Sequence, residues 1–324
     1  MNTRSEQGAG MQDLRKENWV YGGAFIVGLA IVAMLQYLFW SRAPGDCSVE
    51  SFGEDAAAAW NNREYLANSA CYQKLFRDHS DLDLSQQAAR EMEAILARDH
   101  PRRGYKIGGH DASMWDRIGL PGPMFGVFYG EDAFFDNGAT VPIRGQVMNY
   151  EPDMLLRIGD ERINEAESVE EAMRYVDRIY AFIELPVLLG DPAELQEGFI
   201  FPFLMQATNL GARHGVIGEY LDTADDPEIF ENLRNLTVIS ANPDGTERSI
   251  YEVAERDSVH PVIVALQAAE SLRKRGESLK KGDVISVGAM MEEFIDPAVP
   301  IVGKRHVHYY IGDAVISVSA GFRE

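Results

Sequence analysis

Apolar and polar positions divide the chain into three stretches with different periodicities. From Trp19 to Trp40 the sequence runs 22 residues without a charge. As a helix it spans about 33 Å, enough to cross a bilayer core of about 30 Å. Trp19, Tyr21, Tyr37 and Trp40 sit near its ends, where amphipathic rings favour the headgroup layer. A cleavable signal has a shorter apolar run of roughly 7 to 15 residues. An uncleaved transmembrane anchor over 19–40 is therefore expected, after a tail of 1–18 and before a linker of 41–55. The segments Ala56 to Arg77 and Leu84 to Ala97 carry helical spacing and predict two helices, the helical part (56–100) of a domain covering 56–324. From Tyr105 to about Ile158, short apolar runs alternate with Gly, Pro and Asn, as strands and turns do. Ser168 and Glu171 form a capping-box signature, and Val169, Ala172, Met173, Val176, Ile179 and Ile183 follow one helical face, so a helix is predicted up to Pro186. Another amphipathic helix is predicted from Pro261 to Lys274, then a turn and strand over LKKGDVISVG. The tail reads as two strands joined at Gly312 and Asp313. The 101–324 part is β-rich, and the soluble region is α+β with a mixed sheet or roll.

Charge changes the picture by exclusion. Asp and Glu outnumber Lys and Arg 51 to 30, a net charge of −21 that opposes binding to nucleic-acid backbones or anionic lipid. No Gly-rich phosphate loop, basic stripe or zinc-type Cys/His spacing is present. Arg4, Arg15 and Lys16 precede the apolar run and only Arg42 follows it closely, which points the N-terminus at the cytoplasm and the large domain at the extracytoplasmic or periplasmic side. Cys47 and Cys71 lie just past the anchor, where an oxidising compartment would let them pair; two unrelated reduced thiols are the alternative.

Candidate chemistry lies in carboxylates. Glu151 and Asp153 are two residues apart in a strand-like stretch, so both side chains share one face. Pro152 between them restricts that strand to an edge or bulge. Two like charges in a partly buried site need a counter-cation or a raised pKa; a solvated strand face is the competing reading. Glu184 sits inside the apolar run AFIELPVLLG, where an unpaired carboxylate is costly to bury. Beside Glu151 and Asp153 it completes an all-oxygen set suited to Mg²⁺ or Mn²⁺; a salt bridge to Arg174 or Arg178 is the alternative. Lys106 lies on a glycine-flanked strand, where it either holds a substrate carboxylate or is simply a surface residue. His306 and His308 alternate along one strand, as metal ligands or as an exposed pair.

The order of these motifs, GYKIG at Gly104 to Gly108, then Glu151 and Asp153, Glu184, Asn209, and finally His260 to Gly288, resembles the fumarylacetoacetate hydrolase superfamily. Within it, the chain is most similar to the 2-keto-4-pentenoate hydratase and 4-oxalocrotonate decarboxylase branch, over about Arg103 to Phe322. The resemblance implies a mixed β-sheet roll with flanking helices, and homodimers or larger assemblies. It implies a metal triad of Glu151, Asp153 and Glu184, with aspartate replacing the usual second glutamate. It also places Lys106, Asn209 and Gly288 at the substrate, with Thr208 beside Asn209. His110 and Asp111, just beyond Lys106, are the titratable candidates for moving protons. Three positions depart from the pattern: His110 replaces a small hydroxyl residue, Met124 stands where hydratases carry an acid, and Gly288-Ala289-Met290-Met291 lacks the usual hydroxyls.

The expected activity is that of a metal-dependent, hydratase-like lyase on a short 2-keto or 2-hydroxy-dienoic acid such as 2-keto-4-pentenoate. The alternatives are an acylpyruvate-type carbon–carbon hydrolase or decarboxylase on the same metal site, and a membrane-tethered binding or scaffold domain that has lost catalysis.

Overall fold

The computed structural model describes residues 47–324 except 116–118, 143–146, 148, 192–201, 224–227, 243, 253–259, 291–292, 295–303 and 324. The expected tail and transmembrane anchor lie outside the described residues, among which no helix is long and apolar enough to cross a membrane.

Three helices open the described chain: α1 (Val49–Asn62), α2 (Ser69–Asp78) and α3 (Leu82–Leu96). Helix α1 starts inside the predicted linker because Ser48 and Ser51 form a reciprocal capping box, satisfying donors that the first helical turn would otherwise leave open. Arg63, in the left-handed conformation, ends α1, so the single helix predicted from Ala56 to Arg77 is two. At Gly53 a Cβ would lie 2.7 Å from Glu91 Cβ; glycine lets α1 and α3 cross closely, burying Phe52, Ala56 and Trp60. A disulfide joins Cys47 to Cys71, tying the start of α1 to α2.

The remainder is built on two sheets. The first contains β1 (Arg102–Gly108), β2 (Met124–Tyr129), β3 (Phe134–Asp136), β5 (Asn149–Ile158), β6 (Val176–Leu185), β7 (His214–Asp222) and β10 (Val284–Ser286) in the order β2-β1-β10-β5-β6-β7-β3, with β11 (Glu293–Phe294) also on β5. The second is ordered β4-β13-β12-β8-β9, from β4 (Thr140–Pro142), β8 (Thr237–Ala241), β9 (Glu247–Glu252), β12 (Lys304–Ile311) and β13 (Ala314–Arg323). Short helices α4 (Val169–Met173), α5 (Pro202–Ala207) and α6 (Glu228–Asn232), with the longer α7 (Ile263–Arg273), complete the α+β fold. Helix α7 and the β12–β13 hairpin, with Gly312 at φ +58°, fall where periodicity predicts them.

Two predictions fail instructively. The helix expected after Ser168 stops at Met173, and Val176, Ile179 and Ile183 belong to β6. Their spacing fits a helical face, but Tyr180, Ala181 and Phe182 between them are also apolar, and β-branched and aromatic residues suit a strand flanked by β5 and β7. Pro152 also does not put β5 at an edge: β5 lies between β6 and β10. The Pro152 carbonyl accepts from Met290 N at 3.0 Å, on the side where β10 has ended and β11 has not begun. In an antiparallel strand the N and O of one residue face the same way, so proline's missing N–H falls in that gap.

Candidate active site

Adjacent strands converge four charged side chains. Glu151 on β5 pairs directly with Glu184 on β6, and Asp153 lies two residues further along β5. Lys106 on β1 is in register with Ser286 on β10, the strand between β1 and β5. All are buried, Asp153 and Glu184 completely. This rules out the solvated-face and surface-lysine readings. It also replaces the proposed Arg174 or Arg178 partner of Glu184: Lys106 Nζ lies 2.7 Å from Glu184 Oε1 and 3.7 Å from Glu151 Oε2.

Ser286 escaped the sequence reading. Its Oγ donates to Asp153 Oδ2 at 2.5 Å and lies 3.5 Å from Glu184 Oε2, while Met154 N donates to Asp153 Oδ1 at 2.6 Å. Strand alternation was the available signal, because Ser286 and Gly288 share a face in DVISVG. Tyr309 was also missed. From β12 its hydroxyl accepts from Asp153 N at 2.9 Å and donates to the Phe182 carbonyl at 2.7 Å. No local pattern marks that contact, which crosses from one sheet to the other.

Charge in the cluster is unbalanced, with three carboxylates around one ammonium. Burial opposes the Lys106 charge, but the Glu184 and Glu151 carboxylates outweigh it and raise its pKa, keeping the ammonium charged. Burial pushes Asp153 up to about 7 against the bonds from Ser286 and Met154, with Glu151 adding to the rise. Glu184 is raised well above its ordinary value by burial, with Lys106 opposing and the two neighbouring carboxylates reinforcing. Burial, and then Asp153, also raise the Tyr309 phenol, so it remains a neutral donor.

Among the described residues, no three His, Cys, Asp or Glu groups lie close enough together to hold an ion as they are placed. The donor set nonetheless fits a hard divalent cation. Glu184 Oε1 is buried against the Lys106 ammonium, and all the ligand atoms on offer are carboxylate oxygens. A divalent ion would neutralise the charge that one ammonium leaves uncompensated.

The other nominated residues have structural work. Asp111 caps the 3₁₀ turn Ala112–Met114 through Ser113 N, and the His110 carbonyl accepts from Gln267 Nε2 on α7; both hold the loop after β1. Both ends of the Asn209 amide are bound to Val127, Oδ1 accepting from its N–H and Nδ2 donating to its carbonyl, each at 2.7 Å. Asn209 thus clamps β2 through one amide donor and one amide acceptor. Gly288 has φ +100°, and a Cβ there would lie 2.9 Å from the Ile107 carbonyl, so it lets the chain pass close beside β1. Met124 is buried opposite Gly108. His306 and His308 are half-buried with nearly parallel rings, and His308 Nδ1 bonds Ser317 Oγ.

No family model and no curated protein matches this chain. Solved structures do. A 4-oxalocrotonate decarboxylase from Pseudomonas putida G7, complexed with magnesium and adipate, superposes with a TM-score of 0.65 at 17% identity, over 85% of this chain and 97% of that one. The same enzyme complexed with calcium and acetate gives 0.64 at 17% identity and the same coverage. A fumarylpyruvate hydrolase from Pseudomonas aeruginosa, in complex with Mn²⁺ and pyruvate, gives 0.44 at 17% identity, over 68% of this chain and 90% of that one. The fold is that of this 4-oxalocrotonate decarboxylase. The likeness spans nearly the whole length of the decarboxylase.

Proposed function

We propose that this chain is a divalent-metal-dependent lyase acting on a short 2-keto acid, with Glu151, Asp153 and Glu184 holding Mg²⁺ or Mn²⁺ and Lys106 facing the substrate. The supporting observation is the burial of those three carboxylates in one cluster, Glu151 and Glu184 against the Lys106 ammonium and Asp153 joined to Glu184 through Ser286. A divalent ion held there would supply a Lewis acid for the C1 carboxylate and C2 oxygen of a 2-keto acid. Lys106, held charged, binds and orients the substrate carboxylate and stabilises negative charge developing beside it. It is no general base in that state. His110 and Asp111, in the loop that follows β1, are the groups we assign to proton movement.

The hydratase-like reading requires a proton donor in addition to the electron sink. Decarboxylation is the second reading, favoured by Met124: its buried thioether has no proton to give. In decarboxylation the carbon–carbon bond breaks, CO₂ departs, and its electron pair is delocalised toward the C2 oxygen before a proton returns to carbon. Acylpyruvate cleavage would additionally need an activated water. A spectrophotometric panel of 2-keto-4-pentenoate, 4-oxalocrotonate and an acylpyruvate, with Mn²⁺ or Mg²⁺, separates the three. Turnover of none of them, with metal bound, leaves a tethered binding domain.

We further infer that residues 19–40 anchor the domain to a membrane with its large part on the oxidising side. The Cys47–Cys71 bond at the start of the described domain supports this, because such bonds persist in oxidising compartments. Protease accessibility of the domain in sealed vesicles tests it; protection from the extracytoplasmic side overturns it. Self-association through the β-rich core is expected and is measured by light scattering.

A further inference from the structure

Two buried hydroxyls from different sheets end on Asp153. Tyr309 Oη stands between the Asp153 N–H and the Phe182 carbonyl, accepting from one and donating to the other, where β5 and β6 would otherwise bond directly. The phenol therefore wedges the ladder beside the Glu151–Glu184 pair and fixes the backbone from which the Asp153 side chain leaves. Ser286 acts on the other end of that side chain. Its Oγ orients Oδ2 at 2.5 Å, and Met154 N holds Oδ1, so both oxygens of a fully buried carboxylate have fixed directions. At that distance no room remains for another methylene between Cα153 and Ser286 Oγ.

We propose that Ser286 and Tyr309 are positioning residues that make an aspartate, and not a glutamate, the working second carboxylate of the ion site: Tyr309 sets its backbone and Ser286 its rotamer and reach. The inference rests on the metal-dependent reading above. Ligands that are themselves hydrogen-bonded in this way bind metal 10- to 100-fold more tightly than ligands stripped of such partners.

The test uses the full-length chain in mild detergent, stripped with chelator and titrated with Mn²⁺, free ion being read by electron paramagnetic resonance. Ser286→Ala and Tyr309→Phe are each expected to weaken Mn²⁺ binding about 10- to 100-fold. Ser286→Cys, close to serine in size but a weak donor, should also weaken it, which separates loss of the hydrogen bond from loss of packing. Asp153→Glu should bind Mn²⁺ poorly alone and recover at least tenfold, as an order-of-magnitude expectation, when combined with Ser286→Gly, which makes room for the longer side chain. A merely structural role for Ser286 predicts no such recovery. If wild type binds Mn²⁺ and Ser286→Ala and Ser286→Cys bind it within twofold as well, the inference fails while the metal reading stands. It fails in the same way if the double variant binds no better than Asp153→Glu. If wild type binds no Mn²⁺, the metal reading fails and carries this inference with it.

Discussion

Two buried charge clusters in this protein follow opposite arithmetic. Near the end of α3, Glu93 meets Arg275 at 2.7 Å, one acid and one base, with the guanidinium centre 4.3 Å from the Phe125 ring. At the candidate active site, Glu151 and Glu184 flank Lys106, and Asp153 adds a third buried carboxylate beside them. A balanced pair is a strut: it ties α3 to the turn after α7 with charges that cancel. An unbalanced cluster is expensive to bury unless protons or a cation complete it. Buried charge by itself does not mark function; the uncompensated excess does.

That contrast breaks most visibly in activity. Glu184→Ala is expected to lower 2-keto acid turnover by roughly a thousandfold, about 4 kcal/mol at the barrier, in initial-rate assays with saturating Mn²⁺. A loss under tenfold would remove the cluster from the chemistry. Stability should separate the two clusters by sign. Arg275→Met, which strands Glu93, is expected to cost about 3 kcal/mol in urea unfolding, whereas Glu184→Gln in chelator-treated protein should raise stability by relieving like charges. If both variants shift in the same direction, the distinction collapses. Adding Mn²⁺ at a hundredfold excess over its dissociation constant should stabilise wild type by about 2.7 kcal/mol and Arg275→Met equally, but not Glu184→Ala. Thermal melts with and without the ion would show this.

A third cluster sharpens the comparison through its dependence on pH. Arg213 stacks on Trp60 and donates to His214 Nε2, and His214 Nδ1 bonds the Asp132 carbonyl. Burial, and then Arg213, lower the His214 pKa to about 4. The unfolded chain takes up this proton near pH 6.5 and the folded chain only near 4, so the associated stability is complete above 6.5 and lost as pH falls through 4. The expected loss is about 3 kcal/mol at most between those limits, read by urea midpoints across pH. His214→Gln should flatten that part of the profile; an unchanged slope would assign the acid sensitivity elsewhere.

Much of the scaffold was legible locally. Helix α7, the β12–β13 hairpin and the turn into β10 follow from periodicity and turn chemistry, because short-range steric and capping forces decide them. Lys106, Glu151, Asp153 and Glu184 were legible as chemistry, since strand alternation and an acid in an apolar run are visible in the chain itself. The capping box at Ser168 correctly starts α4 but says nothing of where a helix ends. The remaining apolar positions fit two periods, and β5 and β7 selected the strand.

Sequence alone determined which residue types are available: the carboxylates, the lysine between glycines, the uncharged run at 19–40 and the acidic balance of the whole. Only tertiary structure decided which of them meet. The pairing of Glu151 with Glu184, the reach of Lys106 across β10, the commitment of Asn209 to Val127 and the Tyr309 wedge all join residues far apart in sequence. Local propensity acts over a few residues, whereas these contacts form only once distant strands are brought into register, burying charge that each strand could leave hydrated on its own.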